Sequence, residues 1–184
     1  MINECEIIDK IVKGDKDAFR KLVDLYADKI FALTNKMIQN SADAEDITQE
    51  IFVKVYFSLS KYRKESSFST WIYRITYNTI ISKLRKKKTL IYKDDIDYSI
   101  KEIDDSEESK FDKIITEEKY IKLENALENL KPEDRFILLA FYKENKKISE
   151  IADITNQSIA NIKVKLFRIK KSLAQTLSTQ ITNN

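Results

Sequence analysis

The chain has 184 residues, enough for one domain of ordinary size or two small ones. It contains one glycine, one proline, one cysteine and no histidine. This composition disfavours a sheet-rich fold, excludes an internal disulfide framework and leaves the usual zinc sites without ligands. The formal net charge is only +3.

Charge is strongly segregated along the chain. Residues 61–93 carry a net charge of +9, residues 94–118 carry −8 and residues 143–171 carry +5. Two basic blocks around an acidic one indicate two contacts with one long polyanion, the alternative being a charge-segregated soluble protein without such a partner. The charged N-terminus has no signal-peptide core, and the longest strongly apolar run, 136–142, is far too short to span a membrane. We therefore expect a cytoplasmic protein without membrane insertion.

Hydrophobic spacing predicts three helices in the first sixty residues. The first covers about 1–13 and breaks at Gly14, and the second runs from about 17 to 38. The third follows a turn and cap at Asn40-Ser41, carries acidic residues in its first turn and ends near residue 59.

The segment 68–88 puts the single tryptophan, three other aromatic residues and six basic residues on one predicted helix without an acidic residue. Ser67 or Ser69 can cap it. A cationic stripe beside aromatic side chains suits a polyphosphate backbone and unstacked bases. A core helix that ends in a solvated lysine cluster is the alternative interpretation.

A polar, acidic segment, 89–113, is predicted to be a flexible linker between domains 1–88 and 114–184. The second domain is predicted to contain helices over about 114–130, from Pro132 onward, over 148–154 and over 159–177. The fold class expected is all-α, with two small helical domains.

The last two helices and their four-residue connection match helix-turn-helix chemistry. Asn156 stands where the backbone of such a turn becomes left-handed, and Ser158 can cap the second helix. Ile159 begins the predicted inward side of that helix, and its outward side is basic. An ordinary helical hairpin is the alternative.

These motifs resemble, in order and spacing, the extracytoplasmic-function sigma factors of the sigma-70 family of bacterial transcription initiation factors. DAEDITQEIFVKVY (43–56) resembles the family's core-polymerase-binding helix, and FSTWIYRITYNTIISKLRKKK (68–88) resembles its promoter-melting helix. The segment 126–173 resembles its C-terminal helix-turn-helix domain. The resemblance implies core RNA polymerase and promoter DNA as partners, and an anti-sigma factor because the family often has one.

The resemblance also implies roles for particular residues, carried over by position. Polymerase binding falls on Asp46, Gln49 and Glu50. Recognition of the −10 element falls on the 61–69 loop and its helix, at Lys61, Tyr62, Arg63, Trp71, Arg74, Asn78 and Arg85, with Tyr62, Phe68, Tyr73 and Tyr77 as candidate stacking residues. Recognition of the −35 element falls on Asn161, Lys163, Lys165, Arg168 and Lys171. Phe68 and Trp71 can equally belong to the core, the interpretation we favour for Trp71.

The sequence departs from the family pattern at Ser82, Gln157, Asn161 and Lys165, which puts promoter preference in doubt. No Gly-rich phosphate loop, nucleophile–base pair, cofactor site or metal site is visible, so we expect no enzyme and no cofactor. The competing hypothesis is a one-component helix-turn-helix regulator, which would leave 43–88 without a purpose. A third hypothesis is a polymerase-binding protein that never contacts DNA.

Overall fold

A computed structural model describes residues 4–89, 125–127 and 129–179 of the chain. Every regular element in these ranges is helical, which confirms the all-α fold class. A short 3-10 turn at Leu59–Lys61 follows the third helix. The α-helices are α1 Glu4–Val12, α2 Lys16–Ile38, α3 Ser41–Ser58, α4 Phe68–Thr89, α5 Pro132–Tyr142, α6 Ile148–Thr155 and α7 Ile159–Thr179.

Local polar residues set the helix boundaries in the N-terminal half. Gly14 adopts φ +96° between α1 and α2, a conformation that a residue with a Cβ rarely adopts. Asp15 accepts hydrogen bonds from two amides in the first turn of α2, at 2.9 and 3.0 Å. Asn40 caps α3 in the same way at 2.9 Å, and Ser67 caps α4 at 3.1 Å. The predicted breaks and the cap at Asn40 are confirmed, and of the two candidate serines it is Ser67 that caps.

Helices α1 to α4 surround the first part of an apolar core that continues into the later helices. The spacing of apolar residues places one stripe of each helix inward, and burial of each large side chain contributes about 1.5–3 kcal/mol. The large apolar side chains with almost no exposed surface include Leu22, Ile30, Leu33, Met37, Ile51, Val55, Ile72 and Ile80.

Helices α5 to α7 surround the remaining part of the same core. Pro132 occupies the first turn of α5, as predicted. The buried apolar residues include Phe136, Ile137, Ile151, Ile154, Ile162, Leu166, Ile169 and Leu173. The prediction that Ile159 faces inward is wrong, because this first residue of α7 lies at the end of the turn and is 49% exposed.

The second set of helices contacts the first directly. Helix α6 lies on α4, and α5 contacts α2 and α4. The rings of Tyr77 and Phe136 meet edge to face with centroids 4.8 Å apart. The buried Arg135 donates from Nη1 to the carbonyl of Met37 at 3.4 Å, where a cation complements the C-terminal end of α2.

The predicted linker beyond Thr89 and most of the helix predicted over 114–130 lie outside the described residues. Among the helices that the structure describes, none is long and apolar enough to cross a membrane.

Candidate nucleic-acid interface

Helix α4 carries three of the predicted −10 residues on one side. Arg74 is partly exposed, Asn78 follows one turn later and is exposed, and the side chain of Arg85 is 71% exposed. Positions four and seven residues apart lie on the same side of a helix. The structure therefore brings an amide and two guanidinium groups together on the surface of α4.

Both guanidinium groups contact the second domain. Arg74 donates from Nε to the backbone carbonyl of Asp153 at 3.0 Å. Arg85 donates from Nη2 to the carboxylate of Glu133 at 2.9 Å. The surface of α4 assigned to DNA is thus partly occupied by α5 and α6.

The loop before α4 is held by Tyr62. Its hydroxyl donates to the carbonyl of Ser66 at 2.7 Å. The centroid of its ring lies 5.3 Å from the centroid of the Trp71 ring. Lys61 and Arg63 are exposed at the start of this loop. The loop therefore presents two cations beside a half-buried pair of aromatic rings.

The aromatic residues of α4 divide between core and surface. Phe68 is buried against Tyr26, with centroids 5.7 Å apart, so it belongs to the core. Trp71 is only partly buried and packs on Phe68 at the edge of that core, 5.5 Å between centroids. Trp71 and Tyr62 therefore have ring surface available at the mouth of the loop.

The remaining two candidates, Tyr73 and Tyr77, are buried beneath the second domain. The hydroxyl of Tyr73 donates to Glu144, and the ammonium of Lys146 lies 4.4 Å from the centroid of its ring. Burial, together with the nearby carboxylate of Glu144, raises the pKa of Tyr73, and burial is also the main cause of the raised pKa of Tyr77. Both phenols therefore stay neutral, and neither ring is accessible to a base in this conformation.

Helix α3 presents the residues assigned to polymerase binding. Asp46 and Gln49 are exposed. Glu50 forms ion pairs with Lys54 at 2.8 Å and with Lys83 of α4 at 2.7 Å. Hydrogen bonds from these two ammonium groups lower the pKa of Glu50. Glu50 thus ties α3 to α4, besides any contact with a partner.

Two exposed apolar residues continue the same side of α3. Val53 is 54% exposed and Phe57 is 74% exposed. Their spacing from Glu50 places both on the side of Asp46 and Glu50. Sequence reasoning missed both residues. The signal was present in the sequence, because Phe57 lies opposite the inward stripe that ends near Val55 and Leu59.

The turn between α6 and α7 has the geometry of a helix-turn-helix. Asn156 adopts φ 55° and ψ 47°, the left-handed conformation predicted for it. Ser158 accepts a hydrogen bond from the amide of Asn161 at 3.1 Å and so caps α7. The amide of the Asn161 side chain donates to Gln157 at 3.2 Å. The cap and the turn are therefore as predicted, and Asn161 is held at the start of α7.

The outward side of α7 is basic and open. Asn161, Lys163 and Lys171 are exposed, and Arg168 is partly exposed. Lys165 is partly buried, with its ammonium 3.8 Å from the carboxylate of Asp134. Burial raises the pKa of Asp134, although this ammonium acts in the opposite direction. Four of the five predicted −35 residues thus face away from the core.

A helix-turn-helix with a basic outward helix, joined to a helical domain with its own cationic stripe, defines a two-domain DNA-binding protein. The comparisons with known proteins specify the class. A model of sigma-70 region 2 matches residues 22–89, and a model of sigma-70 region 4 matches residues 120–173.

Curated relatives are similar over nearly the whole chain. The ECF RNA polymerase sigma factor SigW of Bacillus subtilis is 32% identical over 176 residues, which covers 92% of this chain and 94% of the relative. The ECF RNA polymerase sigma-E factor of Escherichia coli K12 is 27% identical over 177 residues, with coverage of 91% and 90%. The chain belongs to the extracytoplasmic-function sigma factors of the sigma-70 family.

Solved structures share the fold. The complex of CnrH with the cytosolic domain of CnrY matches with a TM-score of 0.68 at 15% identity, covering 94% of this chain and 96% of that chain. The complex of the sigma factor RpoE with the anti-sigma factor NepR from Bartonella quintana matches with a TM-score of 0.65 at 19% identity, covering 89% and 98%. The protein is a transcription initiation factor that binds core RNA polymerase and directs it to promoters.

Proposed function

We propose that the two cationic surfaces divide promoter recognition between them. Domain 1–88 binds core polymerase through α3 and the −10 element through α4 and its preceding loop, and domain 114–184 reads the −35 element through α7. The observation that carries this proposal is the exposed, basic outward side of α7 behind a capped helix-turn-helix. The protein acts in the cytoplasm, where its DNA and polymerase are, and it performs no catalysis of its own.

The polymerase-binding surface is the exposed side of α3. We assign to it Asp46, Gln49 and Glu50, together with the exposed Val53 and Phe57. Aromatic residues that become fully desolvated often dominate the affinity of an interface, whereas peripheral charges mainly set orientation and association rate. Phe57 therefore supplies affinity, and Asp46 and Gln49 fix the register on the partner.

At the upstream element α7 enters the major groove. Asn161 matches the hydrogen-bonding edge of adenine and Arg168 that of guanine. Lys163 and Lys171 neutralise phosphates, a contribution that does not depend on base sequence. Lys165 remains engaged with Asp134 and adds positive potential.

At the −10 element the loop and α4 capture unstacked bases. Extrusion of a base costs a few kcal/mol, and stacking on an aromatic side chain returns about 1–3 kcal/mol per base. Trp71 and Tyr62 offer ring surface, and Arg63, Arg74 and Arg85 bind the backbone. Capture of this kind biases strand opening without consuming ATP.

A protein inhibitor also fits this chain, since both structural relatives described above are complexes, one of them with a named anti-sigma factor. We infer that the chain is held inactive by such a partner until a signal releases it.

Run-off transcription tests the proposal directly. Genomic fragments of the source organism are transcribed with purified core polymerase from that organism, with and without the protein. We expect discrete transcripts that depend on the protein. DNA binding by the protein alone, without transcripts, would instead favour a one-component regulator.

The polymerase-binding surface is tested by the double substitution of Val53 and Phe57 with serine. We expect affinity for core polymerase to fall by about 2 kcal/mol, or roughly 30-fold, because an apolar hot spot is lost. Val12→Ser is the matched control, because Val12 is 55% exposed on α1, away from α3. Equal loss of polymerase affinity in the control, or no loss in the double variant, contradicts the assignment. Thermal melting curves confirm that both variants fold.

A further inference from the structure

Two of the residues that depart from the family pattern contact each other at the start of α7. The Nδ2 atom of Asn161 donates a hydrogen bond to the Oε1 atom of Gln157 at 3.2 Å. The aliphatic side chain that is usual in place of Gln157 has no acceptor, so it could not form this contact. The two departures therefore act as one unit in this chain.

Backbone hydrogen bonds hold both residues in place. The amide of Gln157 donates to the carbonyl of Ala152 at 3.0 Å, directly after the left-handed Asn156. The backbone amide of Asn161 donates to the hydroxyl of Ser158 at 3.1 Å. Because these bonds use main-chain groups of residues 157 and 161, both side-chain amides remain for other contacts. The side chain of Asn161 is exposed and that of Gln157 is partly exposed.

The contact leaves Asn161 able to read a base. A carboxamide has two hydrogens on its nitrogen and an acceptor oxygen, and only one of the hydrogens is given to Gln157. Adenine is bound in the major groove by one donor and one acceptor of such an amide. Asn161 therefore keeps the oxygen and the second hydrogen that this bidentate contact needs.

The acceptor on Gln157 also selects the orientation of the amide. Rotation of the Asn161 carboxamide by half a turn would place its oxygen against the Oε1 atom of Gln157, and two acceptors repel each other. The donor and acceptor of Asn161 are thereby presented in one order. A polar group that is held in its binding orientation loses less conformational entropy on binding.

The position of the pair suits direct contact with DNA. Asn161 is the third residue of α7, and the first residues of a recognition helix contact base edges. Arg168 follows seven residues later, about 10 Å along the helix axis and on the same side. This distance corresponds to about three base pairs of B-DNA. The base read by Asn161 should therefore lie about three pairs from the guanine assigned to Arg168.

We propose that Gln157 is a positioning residue that sets the base preference of α7, because it holds the amide of Asn161 in the orientation that binds adenine. The inference rests on the proposed assignment of α7 to the −35 element. It adds to that assignment a residue of the turn, outside the recognition helix.

Base preference in the polymerase complex supplies the test. On a promoter found by run-off transcription, each base pair of the upstream element is replaced in turn by the other three, and binding is measured by competition. We expect wild type to prefer adenine about tenfold at one position. Gln157→Leu should reduce this preference to about threefold, and so should Gln157→Ala, which adds no apolar surface.

Asn161→Thr should abolish the adenine preference. It leaves the cap of α7 in place, because Ser158 accepts from the backbone amide of residue 161. The double variant Gln157→Leu with Asn161→Thr should match Asn161→Thr alone, since residues that act as a unit have non-additive effects.

Gln157→Glu separates the hydrogen bond from the shape of the turn. An ionised carboxylate only accepts hydrogen bonds, so it should orient Asn161 and preserve the adenine preference. Its negative charge should weaken binding to every promoter. Gln175→Leu is the matched control, because it removes a glutamine at an exposed position of α7, about 21 Å from Asn161, and should match wild type. Thermal melting confirms that all variants fold.

The outcomes distinguish this inference from the proposed function. Full adenine preference in Gln157→Leu, with loss in Asn161→Thr, overturns the inference and leaves the assignment of α7 intact. Equal losses in Gln157→Leu and Gln157→Glu also overturn it, because they trace the effect to the turn and not to the hydrogen bond. Unchanged base preference at every upstream position in both Asn161→Thr and Arg168→Ala overturns the proposed function instead.

Discussion

Helices α4 and α7 are both long and basic, and the proposed function assigns both to DNA, yet they are built differently. The polar side of α7 is open to solvent, with its capping turn and lysines exposed. The corresponding side of α4 is partly covered, and two of its tyrosines are buried by the other domain. The basic character of a helix is thus not sufficient to make it accessible.

The difference agrees with the role proposed for each helix. A helix that reads a closed duplex needs only a rigid, capped start and outward polar groups, which α7 has. A helix that captures unstacked bases needs exposed aromatic surface, which is costly to leave in water. The burial of Tyr73 and Tyr77 therefore leaves base capture to Tyr62 and Trp71, whose rings are only partly buried.

The largest expected effect concerns α7. Arg168→Ala should weaken binding to a cognate upstream element by about 1–3 kcal/mol, or roughly 5- to 150-fold, because a bidentate contact to guanine is lost. Polymerase affinity should not change. Electrophoretic mobility shifts on cognate and scrambled duplexes, together with a core-binding assay, measure both.

Lys163→Ala is the control for that variant. It should weaken binding to both duplexes about equally and reduce the salt dependence by the equivalent of one phosphate contact. Equal loss of DNA and polymerase binding by Arg168→Ala is the result that contradicts its placement.

A substitution at the turn tests whether α7 depends on its preceding backbone. Asn156→Ile should lower stability by about 1–2 kcal/mol, because a β-branched residue is strained in the left-handed conformation. Asn156→Gly should be close to neutral, since glycine adopts that conformation freely. Chemical unfolding of both variants provides the comparison, and similar losses for the two would show that the backbone conformation is not the cause.

The proposed role of α4 at the −10 element is tested by Arg74→Ala. In the polymerase complex we expect promoter opening to fall by about 1 kcal/mol, or roughly fivefold, because a phosphate contact is lost. Arg74→Lys retains the positive charge and should behave like wild type in that complex. Permanganate reactivity of unpaired thymines measures the opening, and an unchanged signal in Arg74→Ala would exclude a role at the downstream element.

The smallest expected effect concerns the ion pairs between α3 and α4. Because the pKa of Glu50 is lowered in the folded protein from an ordinary value near 4.5, its charge stabilises the fold above that value. This stabilisation is lost as pH falls through the lowered pKa. Glu50→Gln should therefore cost about 0.5–1 kcal/mol near pH 7 and almost nothing near pH 2.

Urea unfolding at the two pH values checks this prediction, with the exposed Glu45→Gln as control. A loss that persists unchanged near pH 2 would assign the effect to packing and not to charge.

Local features of the fold could be predicted from the sequence because their causes are local. Asn40, Asn156 and Ser158 act on backbone groups within a few residues, so their patterns are visible without a structure. The spacing of apolar residues likewise identified the inward sides of the helices. The polar side of α7 was predicted for the same reason, with Ile159 misplaced because it lies at the helix start.

The contact between the domains corresponds to no local pattern in the sequence. Tyr73 and Glu144 are 71 residues apart, and Arg74 binds a backbone carbonyl that any residue would supply. Burial of the two tyrosines therefore depends on tertiary packing, which periodicity does not encode. Phe57 was missed for a different reason, because an apolar residue outside the inward stripe was not considered as a contact for a partner.

The proposed division of promoter recognition between α4 and α7 is tested most directly by hydroxyl-radical footprinting of the polymerase complex on a promoter found by run-off transcription. Complexes containing wild type, Arg74→Ala or Arg168→Ala are compared on the same DNA. We predict that Arg168→Ala loses protection at the upstream element and keeps it downstream, and that Arg74→Ala shows the reverse. Loss of both protected regions to the same extent in both variants would contradict the division.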